Sequence, residues 1–141
     1  GAPQDVYDNP INLFVAKFLG TPPINVFHGE VKGGKLYIGN DQVLDVPGID
    51  DREVYVGIRP EGFIYAPENG ALTCQLRNVE VMGRDVSIVS TNEASDNPII
   101  RAIVDADNKV DVSQANVRLK PHKVFVFDKE TEARLYFNNE R

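Results

Sequence analysis

The sequence predicts a mainly β domain, a small barrel or sandwich of about nine or ten short strands, with one amphipathic helix in front. Three observations carry this. From residue 25 onward, apolar and polar residues alternate with period two, in short runs interrupted by Gly, Pro, Asn and Asp. Ahead of those runs lies one segment with the longer period of a helix. The chain has 141 residues, enough for one domain with a small appendage.

The helix comes first. In "NPINLFVAKFLG", Asn9 suits an N-cap and Pro10 suits the first helical position, where its missing N–H costs nothing. Ile11, Phe14, Val15, Phe18 and Leu19 follow at i, i+3, i+4, i+7 and i+8, one apolar stripe. Gly20 can take a left-handed C-cap conformation, and Pro22 and Pro23 forbid continuation. The spacing predicts a helix over 10–19.

A meander follows. A strand over 25–32 turns at Gly33-Gly34 into one over 35–39, and Asn40-Asp41 leads into one over 42–46. After the loop "PGIDD", residues 52–60 place Val54, Val56 and Ile58 on one face and stop at Pro60. "EGFIYAPENG" is a short extended piece and a turn. Residues 71–93 read as a long strand, a break at Gly83, and a strand over 85–91. Further strands are expected at 98–105 and near 116–119, and 123–128 with 133–137 form a closing hairpin around "KETE". A weak duplication is visible: "VYVGIRPEGFIY" and "NVRLKPHKVFVF" both set a basic residue and a Pro just before an aromatic-containing strand.

Composition excludes several classes of function. Net charge is −6, and no basic stripe exists to neutralise phosphates, so nucleic acid is not an expected partner. No apolar run is long enough to span a bilayer as a helix, and no leader pattern opens the sequence. The single cysteine, Cys74, sits between Leu72 and Leu76 and reads as a buried strand thiol. His28 and His122 lie far apart, and with one cysteine they form no zinc set. No phosphate loop and no nucleophile elbow occurs. "DADNKVD" lacks the central glycine and terminal glutamate of a calcium loop. No catalytic, cofactor-binding or metal residue is expected, and the chain is not expected to be an enzyme on its own.

One motif remains, "GIRPEG". Gly57 and Ile58 end a buried strand, Pro60 fixes the turn, and Arg59 and Glu61 flank it. It reads as a strand-end clasp, with an Arg/Glu pair on an interaction surface as the functional version.

With these residues in hand, a resemblance is visible. Gly1, Pro3, Asp5, Val6, Tyr7 and Pro10 match one motif. Phe14, Val15, Ala16, Phe18, Leu19, Gly20, Pro22, Ile24 and Asn25 match a second. Gly57–Glu61 matches a third in full, and Val124–Leu135 matches a fourth, with Glu132 where a glycine is usual. In this order they resemble the C-terminal part of the ATP-binding subunits of ABC importers, in the branch that includes the maltose and glycerol-3-phosphate importer ATPases.

The resemblance implies an OB-like barrel of the TOBE/MOP kind at residues 23–141. Residues 1–22 would be the last helices of an ATPase domain plus a linker. That domain, lying upstream, would carry the ATP and Mg sites, and this piece would hold no cofactor. The stripe Ile11, Phe14, Val15, Phe18 and Leu19 would be the former packing face toward it. The implied partners are a second copy, the ATPase domain, permease subunits and a regulator protein, at the cytoplasmic face of the membrane. The alternative function is binding of an oxyanion such as molybdate or sulfate.

Overall fold

The computed structural model describes residues 9–18 and 23–138. Among the described residues, eleven strands form two antiparallel sheets, preceded by one short α-helix, α1 (Leu13–Phe18). The strands are β1 (Asn25–Lys32), β2 (Lys35–Ile38), β3 (Asp41–Asp45), β4 (Arg52–Ile58), β5 (Phe63–Tyr65), β6 (Leu72–Met82), β7 (Asp85–Thr91), β8 (Ile100–Asp105), β9 (Asn116–Pro121), β10 (Val124–Asp128) and β11 (Arg134–Leu135). The expected mainly β architecture is present. The strand beyond the expected number is β5, formed by the short extended piece after Pro60.

One sheet has six strands in the order β11-β10-β4-β1-β2-β3, and the other has five in the order β5-β9-β6-β7-β8. The second curls toward closure, in keeping with an OB-like barrel. Period-two alternation puts Val31, Leu36, Val54, Val56 and Ile58 of the first sheet into one core with Leu72, Ile88, Ile100, Val117 and Leu119 of the second. The Gly33-Gly34 turn has φ of +58° and +74°, the left-handed conformation a two-residue hairpin demands.

The helix starts later than its sequence suggests. It opens at Leu13, capped by Asn12, whose side-chain oxygen accepts the Val15 N–H at 2.9 Å. Asn9 therefore is not the cap. The reason is competition from the barrel: the backbone of 10–13 is already committed to residues 132–134. Leu13 N–H donates to Glu132 C=O at 3.0 Å, Arg134 N–H donates to Ile11 C=O at 2.9 Å, and Asn12 forms a bridge with Ala133. The proposed C-cap at Gly20, and Leu19 of the stripe, lie outside the described residues.

The weak duplication has a structural counterpart. Each strand–Pro–strand unit is a corner where the chain changes sheets, β4 to β5 and β9 to β10. The two units pair reciprocally, with Ile58 opposite Val124 and Phe63 opposite Pro121. Backbone bonds from His122 N–H and Lys123 N–H to Gly62 C=O, at 2.9 and 3.4 Å, tie the corners together.

Candidate functional site

The site is built where the first corner meets α1. Physical chemistry sets a problem there. The helix is apolar on two roughly opposite faces, since Leu13 and Ala16 point one way and Phe14 and Phe18 the other, with Ile11 exposed just ahead of it. A helix greasy on both faces needs cover on both. The barrel covers one. Leu13 and Ala16 are buried against Ile24, Val26 and Phe127, with Tyr55 and Phe125 half-buried beside them.

Each residue of "GIRPE" has a place in this socket. Gly57 allows the close approach: a Cβ there would stand 3.0 Å from Ile24 Cδ1 and 3.2 Å from Phe127 Cε2. Ile58 is buried in the core, and its carbonyl accepts from Asn25 Nδ2 at 2.9 Å. Arg59 is only 3% exposed, and its Nη1 donates to Ala16 C=O at 3.3 Å. A guanidinium there meets a carbonyl of the C-terminal half of α1, on the side of the negative pole of the helix dipole. Pro60 opens a single 3-10 turn, Pro60–Gly62, and is buried. Glu61 is exposed on that turn, and its carbonyl lies 3.2 Å from His122 Nε2.

A second buried arginine holds the other end of the segment. Arg134 Nη1 donates to Pro10 C=O at 3.2 Å, and its guanidinium lies over the rings of Phe125 and Tyr136, at 4.7 and 4.6 Å. Desolvation holds its pKa below the usual arginine value. Two buried cations thus bracket α1, and Lys17–Asp96 at 3.5 Å adds an exposed pair worth little.

The entry into the barrel is clasped as firmly. Asn25 is buried; its Nδ2 also donates to Arg101 C=O at 3.0 Å, and its Oδ1 accepts from Arg101 N–H at 2.9 Å, joining β1 to β8 across the two sheets. Val26 N–H donates to Asn97 Oδ1 at 3.0 Å, and Asp96 N–H to Val26 C=O at 2.7 Å.

The other face of α1 stays in water. Ile11 is 67% exposed, Phe14 68% and Phe18 76%, with the two phenyl rings stacked 5.9 Å apart. Val15 is half-buried. Sequence periodicity found this stripe, but it missed Leu13, Ala16, Asn12 and Arg134. The available signal was a lone arginine in an otherwise apolar closing strand, "ARLYF". Cys74 is buried as expected; burial pushes its thiol up to about 11, so it stays protonated near neutrality.

Comparison with known proteins finds similarity to one group of them. A family model described as the CysA C-terminal regulatory domain matches residues 25–63, which include Asn25 and the whole "GIRPE" corner. An oligosaccharides import ATP-binding protein, MsmX, of Bacillus subtilis is 31% identical over 153 residues, covering 96% of this chain and 40% of its own length. Two sn-glycerol-3-phosphate import ATP-binding proteins, UgpC of a Jannaschia species and of Chromobacterium violaceum, are each 30% identical, over 137 and 142 residues. Each alignment covers 96% of this chain and 38% of the relative. Over nearly its whole length the chain is similar to part of these import ATP-binding proteins, and over residues 25–63 to that regulatory domain. It spans about two fifths of the length of these relatives. The matched segment runs from β1 to the corner after β4 and supplies Val26, Tyr55 and Arg59 to the seat of α1, whereas Ile24, Phe125, Phe127 and Arg134 lie outside it. No described helix is long and apolar enough to cross a membrane.

Proposed function

We propose that this domain serves as the regulatory and dimerisation module of the ATP-binding subunit of an ABC importer for sugars or glycerol-phosphate-type solutes. The observation that carries the proposal is the double-faced helix: α1 is bolted to the barrel by Arg59 and Arg134 while Ile11, Phe14 and Phe18 face outward. Burying each phenyl is worth about 1.5–3 kcal/mol, so the stripe is a strong docking surface for an ATPase domain. In this reading residues 1–22 are the end of that domain plus the linker, and 23–141 the regulatory barrel. ATP and Mg are handled upstream, and the assembly, with its permease subunits, sits at the cytoplasmic face of the membrane. A regulator protein belongs among its partners.

An open sheet edge supports self-pairing. β6 pairs with β9 only over Leu72–Gln75, whereas its pairing with β7 runs to Met82. Among the described residues, no strand covers the other side of residues 77–82, where Val81 and Met82 are exposed. Such edges are templates for pairing with another chain. A paired barrel would hold two ATPase halves together through their cycle by a mechanical contact and not a chemical one.

Reading the coding sequence upstream tests the proposal. A phosphate loop and an L-S-G-G-Q-like signature are expected there, and their absence overturns it. The isolated chain is expected to hydrolyse no ATP, and turnover above background contradicts that.

A further inference from the structure

A groove of about 340 Å³ opens between the β2–β3 turn of one sheet and the β6, β7 and β9 strands of the other. Its polar lining includes Asn40, Asp41, Gln75, Asn92, Glu93 and Asn116, and among the described residues no Lys, Arg or His lines it. Two carboxylates without a cation make it unsuited to anions. Its amides and hydroxyls, by contrast, offer donors and acceptors side by side.

The floor is fixed in place. Asn92 Nδ2 donates to Thr73 C=O at 3.1 Å, and Asn92 Oδ1 accepts from Ala94 N–H at 2.8 Å. Asp41 Oδ2 accepts from Thr73 N–H at 3.1 Å, which leaves Oδ1 for a ligand. Gln75 Oε1 is engaged by Thr91 Oγ1 and Arg77 Nη2, at 3.3 and 3.4 Å, which leaves its Nε2 donors. Among the described residues, the side chains of Asn40, Glu93 and Asn116 make no hydrogen bond or ion pair. The walls therefore present open acceptors (Asp41, Glu93) beside open amide donors (Asn40, Gln75, Asn116). A vicinal diol, whose hydroxyls each donate and accept, satisfies such a set.

We propose that this groove binds a neutral polyhydroxylated small molecule, of the size of one or two sugar rings. Its volume falls at the small end of the roughly 300–1,000 Å³ typical of small-molecule sites. An occupant would contact both sheets at once and brace the β2–β3 turn against β6. The inference rests on the groove's own chemistry and does not depend on the importer reading.

The test is a two-dimensional amide NMR titration of this chain with D-glucose, maltose and glycerol, and with calcium chloride and sodium sulfate as separate arms. The expected result is saturable shifts by at least one of the neutral polyols, centred on the amides of Asn40, Asp41, Thr73, Asn92 and Asn116. Glu93→Gln and Asn116→Ala are expected to weaken that binding at least about tenfold while the remaining spectrum stays folded. No saturable shift with any of the three polyols up to about 50 mM overturns the proposal. So does a response to calcium or sulfate at these residues that equals or exceeds the response to the polyols.

Discussion

The two corners of the barrel share one sequence pattern and differ in what surrounds their basic residue. At the first, Arg59 is buried and reaches Ala16 of α1. At the second, Lys120 stands in water ahead of a Pro121 that is as buried as Pro60. Both prolines do the same work, ending a strand in one sheet and starting the crossing to the other. Only one basic residue carries a load. A charge costs a great deal to bury unless it is hydrogen-bonded, so Arg59 marks the corner that holds a separate element. The comparison teaches that the duplication supplies the barrel frame, and Arg59 is what makes one corner a joint.

The sharpest way to break this contrast is to fill the joint. Gly57→Leu drives a side chain into Ile24 and Phe127, and is expected to cost about 3 kcal/mol or more. For a chain this long that lowers the melting temperature by roughly 6–12 °C. Removing the charge comes next. Arg59→Ala is expected to cost about 2–3 kcal/mol, whereas Lys120→Ala stays within about 0.5 kcal/mol. Equal losses at the two positions, measured by urea denaturation, would erase the distinction between the corners.

A smaller effect sharpens the account from the other side. Glu132 adopts φ +63°, a left-handed conformation that a glycine takes without strain. Its carbonyl receives the Leu13 N–H, so the strain sits at the contact that starts α1. Glu132→Gly is expected to stabilise the chain by about 0.5–1 kcal/mol, a rise readable in a thermal melt. A loss of stability would show that the turn gains more from the side chain than it loses in strain.

The smallest effect is electrostatic. Asp128 Oδ1 accepts from Thr131 N–H and Glu130 N–H at 3.0 and 2.8 Å, and Oδ2 accepts from Arg52 Nη1 at 2.9 Å. The backbone bond from Thr131, then that from Glu130, hold its carboxyl below the usual value, with Arg52 adding to them. A depressed pKa contributes stability that is present above the unfolded value, near 3.9, and is lost as pH falls through the folded one. The stability difference between the chain and Asp128→Asn is therefore expected to shrink as pH drops below about 4. A difference that is flat across that range contradicts the assignment.

Much of this was legible in the sequence because period-two alternation and turn glycines report local geometry directly. The order and approximate places of the strands and the Gly33-Gly34 turn followed from that, and so did the buried Cys74. The helix start did not. Asn9-Pro10 is a good local start signal, yet residues 10–13 are claimed by a strand more than a hundred positions away. Local propensity cannot register a partner so distant in sequence. The role of Arg134 was hidden for the same reason, since only the fold brings Pro10 to it. The apolar residues of the stripe showed in the periodicity, but which residues the barrel covers did not: Leu13 and Ala16 are buried while Ile11, Phe14 and Phe18 are exposed.

The central claim is that the first corner seats α1 on the barrel. Hydrogen exchange of the Leu13, Val15 and Ala16 amides tests it most directly, in the chain and in Arg59→Ala. These amides are held by Glu132 C=O, Asn12 Oδ1 and Asn12 C=O. The account predicts that Arg59→Ala accelerates their exchange at least about tenfold while amides of β6, β7 and β8 stay protected. Unchanged exchange in α1, or equal acceleration throughout the barrel, would contradict it.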